Sequence, residues 1–227
     1  MINTILFDFD GTVADSAPDL AHAANMQREL RNLPPLPYEK LRCVASQGAR
    51  GLLRVALDLT PDDKDFEPTR QQFLEDYRAC MTRNTTLFPG IGELLEQIEA
   101  AGLRWGIVTN KAEALSFPMF DYLRLTERSV ANVCGDTTAF SKPHPGPLLH
   151  AASLAGTAPD ACIYVGDDER DIIAGKAAGM PTIAAAYGYC NNAEEVETWN
   201  ADQIAHRPED IWDAVIKIKE KVEIGKS

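Results

Sequence analysis

The sequence lacks the features of membrane proteins and of disulfide-bonded secreted proteins. No apolar run approaches the roughly 20 residues that a bilayer-spanning helix needs, and the first apolar stretch, residues 5–9, has no basic segment before it and no Ala-x-Ala cleavage site after it. The cysteines are odd in number, far apart and form no CxxC pair: Cys43, Cys80, Cys134, Cys162 and Cys190. We therefore expect no signal peptide, disulfide framework or zinc cluster, but reduced thiols in a cytoplasmic protein.

Positive charge is scarce as well. The chain has 22 lysines and arginines against 34 aspartates and glutamates, which gives a formal net charge of −12. Such a chain repels nucleic acid and anionic membranes, so we expect neither as a partner. It would also repel a phosphorylated metabolite, unless a local cation reverses the field at the binding site.

What the sequence does contain is an alternation of strands and helices. Segments rich in β-forming residues are predicted as strands at residues 3–9, 104–109, 130–134, 161–165 and 181–185. Between and beside them, residues 91–101, 146–154 and 172–178 have helical patterns, and Gly102 and Gly179 follow two of these as candidate caps. This alternation predicts an α/β fold, with a Rossmann-like, doubly wound parallel sheet covered on both faces.

One stretch interrupts the alternation. Residues 16–86 contain helical patterns at 19–31, 38–45, 50–57 and 66–81 but no strand pattern. We interpret this stretch as a small, all-helical domain inserted after the first strand, with residues 1–15 and 87–227 forming the core. The charged tail, residues 220–227, is expected to fray.

The polar residues that follow the predicted strands point to a binding site, because doubly wound sheets bind ligands at the carboxyl ends of their strands. The residues at these positions include Asp8, Asp10, Gly11, Thr109, Asn110, Lys111, Lys142, Asp167 and Asp171. Carboxylates packed this closely repel one another and resist ionisation when buried. A hard divalent cation compensates them, and Mg²⁺ prefers one or two carboxylates with waters and a phosphate oxygen. We therefore expect a magnesium site formed by Asp8, Asp167 and the main-chain carbonyl of Asp10.

The spacing Asp8-x-Asp10 suggests what chemistry occurs there. Strand side chains at positions i and i+2 point the same way, so both carboxylates would face one substrate atom. One can attack phosphorus and form an aspartyl-phosphate, while the other exchanges protons with the leaving group and water. Gly11 lets main-chain N–H groups approach the phosphate. Thr109 and Asn110 can bond phosphoryl oxygens, and Lys142 can balance the developing charge.

These residues carry a family resemblance. The segment from Asp8 to Val13, DFDGTV, resembles the first motif of the haloacid dehalogenase-like hydrolases, and Thr109, Lys142 with Pro143, and Gly166-Asp167-x3-Asp171 resemble the other three in order. The resemblance implies that Asp8 is the nucleophile, Asp10 the acid/base, and Thr109 and Lys142 the phosphate binders. It also implies that Asp167 binds Mg²⁺ with support from Asp171, that Asp168 has no role in metal binding, and that the helical insert is a mobile cap.

Within this family, the chain is similar to the phosphoglycolate phosphatase group and to bacterial enzymes that dephosphorylate N-acetylmuramic acid 6-phosphate. The similarity lies in residues 46–50, 105–111, 165–171 and 187–189. It implies that the cap residues Gly48 and Arg50, on a loop between two predicted helices, contact the substrate. Arg50 can bind a substrate carboxylate with two hydrogen bonds; the alternative is a surface arginine beside Arg54.

Several other functions are alternatives, and particular residues of the sequence bear on each of them. A sugar phosphomutase of this family would typically have His where this chain has Leu20, twelve residues after the nucleophile. A dehalogenase would lack Asp10, a phosphonatase would depart there and need a lysine in the cap, and a non-catalytic binding protein would usually have lost Asp8, Asp10 or Lys142. We therefore expect a phosphatase that acts on a small phosphomonoester, as a monomer or small homo-oligomer.

Overall fold

The computed structural model describes residues 1–189 and 193–224, without the side chains of residues 193 and 194. Over these residues the chain divides into two compact units. The sheet unit comprises Met1–Val13 and Leu87–Ser227, and the helical unit comprises Ala14–Thr86. The boundaries predicted from the sequence are after residues 15 and 86.

The sheet unit is built on a parallel sheet. The strands of the chain are β1 (Thr4–Phe7), β2 (Ala14–Asp15), β3 (Thr86–Leu87), β4 (Arg104–Val108), β5 (Asn132–Val133), β6 (Cys162–Gly166), β7 (Thr182–Ala185) and β8 (Gln203–Ala205). In the described part of the chain, six of them form one sheet in the order β5-β4-β1-β6-β7-β8, and β2 pairs with β3. Each pairing in the large sheet is parallel, which confirms the predicted fold class.

Helices flank this sheet and make up the inserted unit. They are α1 (Ala17–Glu29), α2 (Tyr38–Arg42), α3 (Gly48–Leu57), α4 (Phe66–Cys80), α5 (Ile91–Ala100), α6 (Glu113–Tyr122), α7 (Gly146–Leu154), α8 (Glu169–Ala177), α9 (Ala193–Thr198) and α10 (Asp210–Ile224). The sequence patterns did not predict α6, α9, α10 or β8. Pro118 lies inside α6, and a proline cannot donate the amide hydrogen bond of a helix interior, which hides this helix in the sequence.

The centre of the sheet brings distant segments of the chain together. Strand β1 is fully buried and lies between β4 and β6, with Phe7 in register with Ile107 and Val165. Because the strands are parallel, the residues that follow them emerge at the same edge. Asp8, Thr109 and Asp167 thus begin three neighbouring connections.

The helical unit has its own core, in which α1 packs against α3 and α4. Gly48, predicted to lie in a loop, is the first residue of α3, so that prediction of local structure was wrong, whereas Arg50 lies in the helix predicted over residues 50–57. The reason is that the helix begins two residues earlier than its apolar pattern suggests, at a glycine with φ of 60°.

Among the described residues, no helix combines the length and apolar composition needed to cross a bilayer. Cys43, Cys80, Cys134 and Cys162 are free thiols. Cys190 and the last part of the predicted fraying tail, residues 225–227, lie outside the described residues.

Candidate active site

An acidic cluster, formed by Asp8, Asp167 and Asp171, lies with Lys142 at the carboxyl edge of the sheet. Lys142 contacts two of these carboxylates. Its ammonium Nζ lies 2.8 Å from Oδ1 of Asp8 and 2.7 Å from Oδ1 of Asp171, and it is almost completely buried. It also donates to the main-chain carbonyl of Val108, at 2.9 Å, and contacts the hydroxyl of Tyr164, at 2.8 Å. These contacts fix the positive charge between the carboxylate of Asp8, which follows β1, and that of Asp171, which lies in the first turn of α8.

Asp167 is held in place by hydrogen bonds from two other segments of the chain. Its carboxylate accepts hydrogen bonds from the hydroxyl of Thr12, at 3.2 Å, and from the main-chain N–H of Tyr189, at 2.9 Å. A Cβ atom at Gly11 would lie 2.2 Å from an oxygen of Asp167, and one at Gly188 would lie 2.3 Å from its Cβ. The backbone can therefore approach this carboxylate so closely only because both positions are glycine.

Asp171 joins the cluster to a helix. Its Oδ2 accepts a hydrogen bond from the main-chain N–H of Asp168, as part of a capping box at the start of α8, while its Oδ1 contacts Lys142. Asp171 therefore both caps α8 and contacts Lys142. Asp168 caps the same helix, forms an ion pair with Arg170 at 2.7 Å, and is not part of the acidic cluster.

The electrostatics of the cluster favour a cation. Carboxylate oxygens of the buried residues Asp8, Asp167 and Asp171 all lie within 4.8 Å of one another. Burial raises the pKa of Asp8 to about 7, with Lys142 opposing the rise and the charge of Asp171 adding to it. Burial and the charges of Asp8 and Asp171 raise the pKa of Asp167 well above its ordinary value. Lysine alone therefore does not compensate these carboxylates.

Lys142 itself remains charged. Its burial lowers its pKa, but the carboxylates of Asp171 and Asp8 outweigh this effect and raise the pKa above the ordinary lysine value. The cluster thus combines a permanent positive charge with buried carboxylates that are costly to ionise. Oxygen ligands in this number and proximity fit a hard divalent cation.

Thr109 and Asn110 lie beside the cluster, but they are held differently. The Thr109 hydroxyl accepts a hydrogen bond from the main-chain N–H of Lys111, at 3.1 Å, and its own proton can be donated to a ligand. The Asn110 amide donates to the main-chain carbonyl of Lys142 and accepts from its N–H, both at 2.9 Å. The Asn110 side chain therefore positions the loop that carries Lys142, a role that the sequence prediction of phosphate binding did not include.

Two side chains of the site had no role predicted from the sequence. Lys111 Nζ contacts both carboxylate oxygens of Asp10, at 2.8 and 2.9 Å. The Tyr164 hydroxyl contacts Lys142 Nζ and donates to the carbonyl of Val108. The available signals were a lysine directly after Asn110 at the end of a strand, and a tyrosine inside a buried strand, where its hydroxyl needs a partner.

The predicted substrate contacts of the cap lie in the helical unit. Gly48 is the first residue of α3, and Arg50 is exposed in the same turn. Leu20, at the position where the mutases have histidine, is buried in α1. The contacts of Gly48 and Arg50 with a substrate remain predictions.

Comparison with known proteins agrees with this geometry. The chain is 42% identical over 209 residues to the phosphoglycolate phosphatase of Xanthomonas campestris pv. campestris (strain 8004), covering 92% of this chain and 94% of that protein. It is 40% identical over 214 residues to the N-acetylmuramic acid 6-phosphate phosphatase of Pseudomonas aeruginosa, covering 94% and 95%.

A solved structure is similar as well. The crystal structure of a predicted phosphoglycolate phosphatase from Haemophilus somnus 129PT superimposes with a TM-score of 0.83 at 27% identity, covering 94% of this chain and 98% of that one. The pattern that defines the haloacid dehalogenase-like hydrolases matches residues 5–185. These residues include all of the acidic cluster, and the chain belongs to the haloacid dehalogenase-like hydrolase family.

Proposed function

We propose that this phosphoric monoester hydrolase depends on Mg²⁺ and removes phosphate from a small metabolite that also carries a carboxylate, such as 2-phosphoglycolate. The observation that carries the proposal is the ammonium of Lys142 between the carboxylates of Asp8 and Asp171, beside Asp167. This arrangement offers a nucleophilic carboxylate, a fixed positive charge and oxygen ligands for a cation at one place. With a cation bound beside Lys142, an otherwise acidic protein would become locally attractive to phosphate.

The metal would be held by Asp8, Asp167 and the main-chain carbonyl of Asp10. The raised pKa values of Asp8 and Asp167 support this assignment, because they indicate carboxylates whose ionised forms need a further positive charge. When bound, Mg²⁺ neutralises phosphoryl charge and helps to orient the ester. Asp171 is assigned to supporting the site through Lys142, whose ammonium lies 2.7 Å from its Oδ1, while its Oδ2 accepts the capping hydrogen bond of α8.

In the first half of the reaction, a carboxylate oxygen of Asp8 attacks phosphorus. The bond between phosphorus and the ester oxygen breaks, and its electron pair stays on that oxygen, which takes a proton from Asp10. Lys142 balances the charge on the equatorial oxygens, while Thr109 and the main-chain N–H groups near Gly11 and Asn110 bind them. The alcohol leaves and an aspartyl-phosphate remains.

In the second half, a water molecule attacks the aspartyl-phosphate. Asp10, now ionised, accepts a proton from this water, the phosphorus–oxygen bond to Asp8 breaks, and phosphate leaves. The free carboxylate of Asp8 is thereby restored. In the helical unit, Gly48 and Arg50 are proposed to contact the part of the substrate that lies beyond the ester oxygen.

A second candidate substrate is N-acetylmuramic acid 6-phosphate, whose lactyl group also offers a carboxylate. The observation behind this candidate is the 40% identity to the P. aeruginosa enzyme. The identity to the X. campestris phosphoglycolate phosphatase is 42%. A difference of two percentage points does not separate the two substrates. A sugar phosphomutase is disfavoured by Leu20.

The test is a comparison of kcat/KM, with Mg²⁺, for 2-phosphoglycolate, N-acetylmuramic acid 6-phosphate and a panel of sugar phosphates. A preference of about 100-fold for one compound corresponds to about 2.7 kcal/mol of transition-state discrimination and identifies the substrate. A preference for a phosphate ester without a carboxylate would contradict the proposed substrate class. Absence of phosphate release from every ester, p-nitrophenyl phosphate included, would contradict the function itself.

We also propose that the enzyme works in the cytoplasm, in keeping with its odd number of widely separated cysteines. A monomer or small homo-oligomer remains the expected assembly, which light scattering would measure.

A further inference from the structure

The ion pair between Lys111 and Asp10 has no part in the mechanism described above. Lys111 Nζ lies 2.8 Å from Oδ1 and 2.9 Å from Oδ2 of Asp10. Only 9% of the lysine side chain and 14% of the aspartate side chain are exposed. Water and salt screen such a shielded pair less than a surface pair. The contact therefore constrains the Asp10 carboxylate more strongly than a surface ion pair would.

The backbone of Lys111 is fixed as well. Its N–H donates to the hydroxyl of Thr109, at 3.1 Å, and its carbonyl accepts from the hydroxyl of Ser116, at 3.2 Å, and from the N–H of Gly135, at 2.8 Å. The ammonium thus extends from a short segment that is anchored to β4 and α6. It can hold Asp10 in place because its own main chain is held by these three hydrogen bonds.

We propose that Lys111 is a positioning residue, which holds the Asp10 carboxylate in the orientation needed for proton transfer to the leaving oxygen. The inference rests on the proposed function, in which Asp10 is the acid/base. Proton transfer requires a distance of roughly 2.6–3.2 Å between the heavy atoms. An aspartate side chain otherwise samples several rotamers, and contact of one ammonium with both oxygens selects one of them.

This role predicts a dependence on the leaving group. When an alkyl phosphate reacts, the departing oxygen takes a proton from Asp10 as the bond to phosphorus breaks. When p-nitrophenyl phosphate reacts, the electron pair spreads into the ring and the nitrophenolate departs without a proton. Because kcat/KM covers the steps up to departure of the leaving group, misplacing Asp10 lowers it for alkyl esters far more than for the aryl ester.

The experiment compares wild-type enzyme with Lys111→Met, which keeps an unbranched side chain without the charge, in the full-length chain with Mg²⁺. The esters are 2-phosphoglycolate, glycerol 3-phosphate, which has no carboxylate, and p-nitrophenyl phosphate. We expect kcat/KM to fall about 100-fold for both alkyl esters and less than about 5-fold for the aryl ester. Lys111→Arg should recover part of the loss on the alkyl esters.

Lys176→Met is the matched control, because Lys176 is exposed in the last turn of α8 and contacts the carbonyl of Trp199. It should leave all three values unchanged. If Lys111→Met does not fold, as judged by circular dichroism, Lys111→Gln takes its place in the same comparison.

Equal losses on alkyl and aryl esters would overturn the positioning role, as would unchanged values on the alkyl esters. A loss confined to 2-phosphoglycolate would also overturn it, because Lys111 would then bind the substrate carboxylate. These outcomes leave the proposed function intact. Its own failure is recognised separately, from a wild-type enzyme that releases phosphate from none of the three esters.

Discussion

Asp19 and Asp167 are both buried aspartates, but the two units of the chain treat them differently. Asp19, in α1 of the helical unit, accepts hydrogen bonds from the main-chain N–H groups of Asn84 and Thr85, and from their side chains. Asp167, in the sheet unit, accepts from Thr12 and Tyr189 but lies close to the carboxylates of Asp8 and Asp171.

The difference separates a structural carboxylate from a functional one. Asp19 is surrounded by donors from its own unit, which compensate its charge and tie the start of α1 to the end of the helical unit. Burial raises the pKa of Asp167, and the neighbouring groups of the same charge raise it further. Burial alone therefore does not indicate a site, whereas burial beside like charges does.

Removing the charge of Asp8 should have the largest effect on activity. We expect Asp8→Asn to lower turnover by about 10⁴-fold or more, because the amide cannot form the aspartyl-phosphate. The variant should fold, since it removes a carboxylate that is costly to ionise in its buried position. Phosphate release with Mg²⁺ measures the effect, and mass spectrometry excludes deamidation. Substantial remaining turnover would contradict the assignment of the nucleophile.

The pH dependence of the free energy of unfolding should distinguish the cluster of Asp8, Asp167 and Asp171 from Asp19. In the metal-free protein, the folded pKa of Asp8, about 7, lies above its ordinary value of 3.8, so the folded state binds more protons between these values. Stability contributed by this group is complete below pH 4 and is lost as pH rises through 7, by about 4 kcal/mol. Urea unfolding with EDTA measures this slope.

Adding Mg²⁺ should change this pH dependence of stability. Because it binds ionised carboxylates, its stabilisation should grow as pH rises from 5 to 8. The Asp8→Asn variant should have a smaller pH slope without metal, whereas Asp19→Asn should keep it. A stability without metal that is independent of pH between 4 and 7 would contradict the cluster's electrostatics.

Replacing Asp19, the structural carboxylate, should lower the free energy of unfolding. Asp19→Asn places an amide donor among the N–H and O–H donors of Asn84 and Thr85, so one or more buried donors lose their acceptor. We expect a loss of about 2–3 kcal/mol in the free energy of unfolding, measured by urea denaturation. The matched variant is Asp167→Asn, which should not destabilise the metal-free protein. Equal destabilisation by both variants would remove the distinction between them.

The hydroxyl of Tyr164 should have a moderate effect on catalysis. Tyr164→Phe keeps the buried ring but removes the contact with Lys142 at 2.8 Å. We expect kcat to fall about 10-fold, equivalent to about 1.4 kcal/mol, with KM little changed. Steady-state kinetics and urea denaturation are measured together. A loss of stability with unchanged kcat would instead make Tyr164 purely structural.

Arg50→Ala should have the smallest effect. If Arg50 binds the substrate carboxylate, its removal raises KM for 2-phosphoglycolate about 5-fold while changing KM for p-nitrophenyl phosphate less than about 2-fold. Arg54→Ala, one turn later on the exposed side of α3, is the control and should change neither. Equal rises in KM for both esters would remove the specificity role.

The general architecture was predictable because it depends on local patterns. Short runs of β-forming residues alternate with helical periodicity, and the polar residues that follow the strands must meet at one edge of a parallel sheet. Asp8 and Asp167 could be placed together from this rule alone. The prediction failed where a local signal is weak, as in α6, which contains Pro118, and in the three-residue strand β8.

What only the tertiary structure decided is which side chains hold the predicted ones in place. Lys111 and Asp10 are 101 positions apart, and Lys142 and Tyr164 are 22 apart, so no spacing in the sequence links the members of either pair. Asn110 shows the same limit, since its amide could serve a ligand or the main chain of Lys142. The sequence by itself thus determined the kinds of groups at the site, because these follow strand ends. Their hydrogen-bond partners depend on contacts between distant segments, which form only in the folded chain.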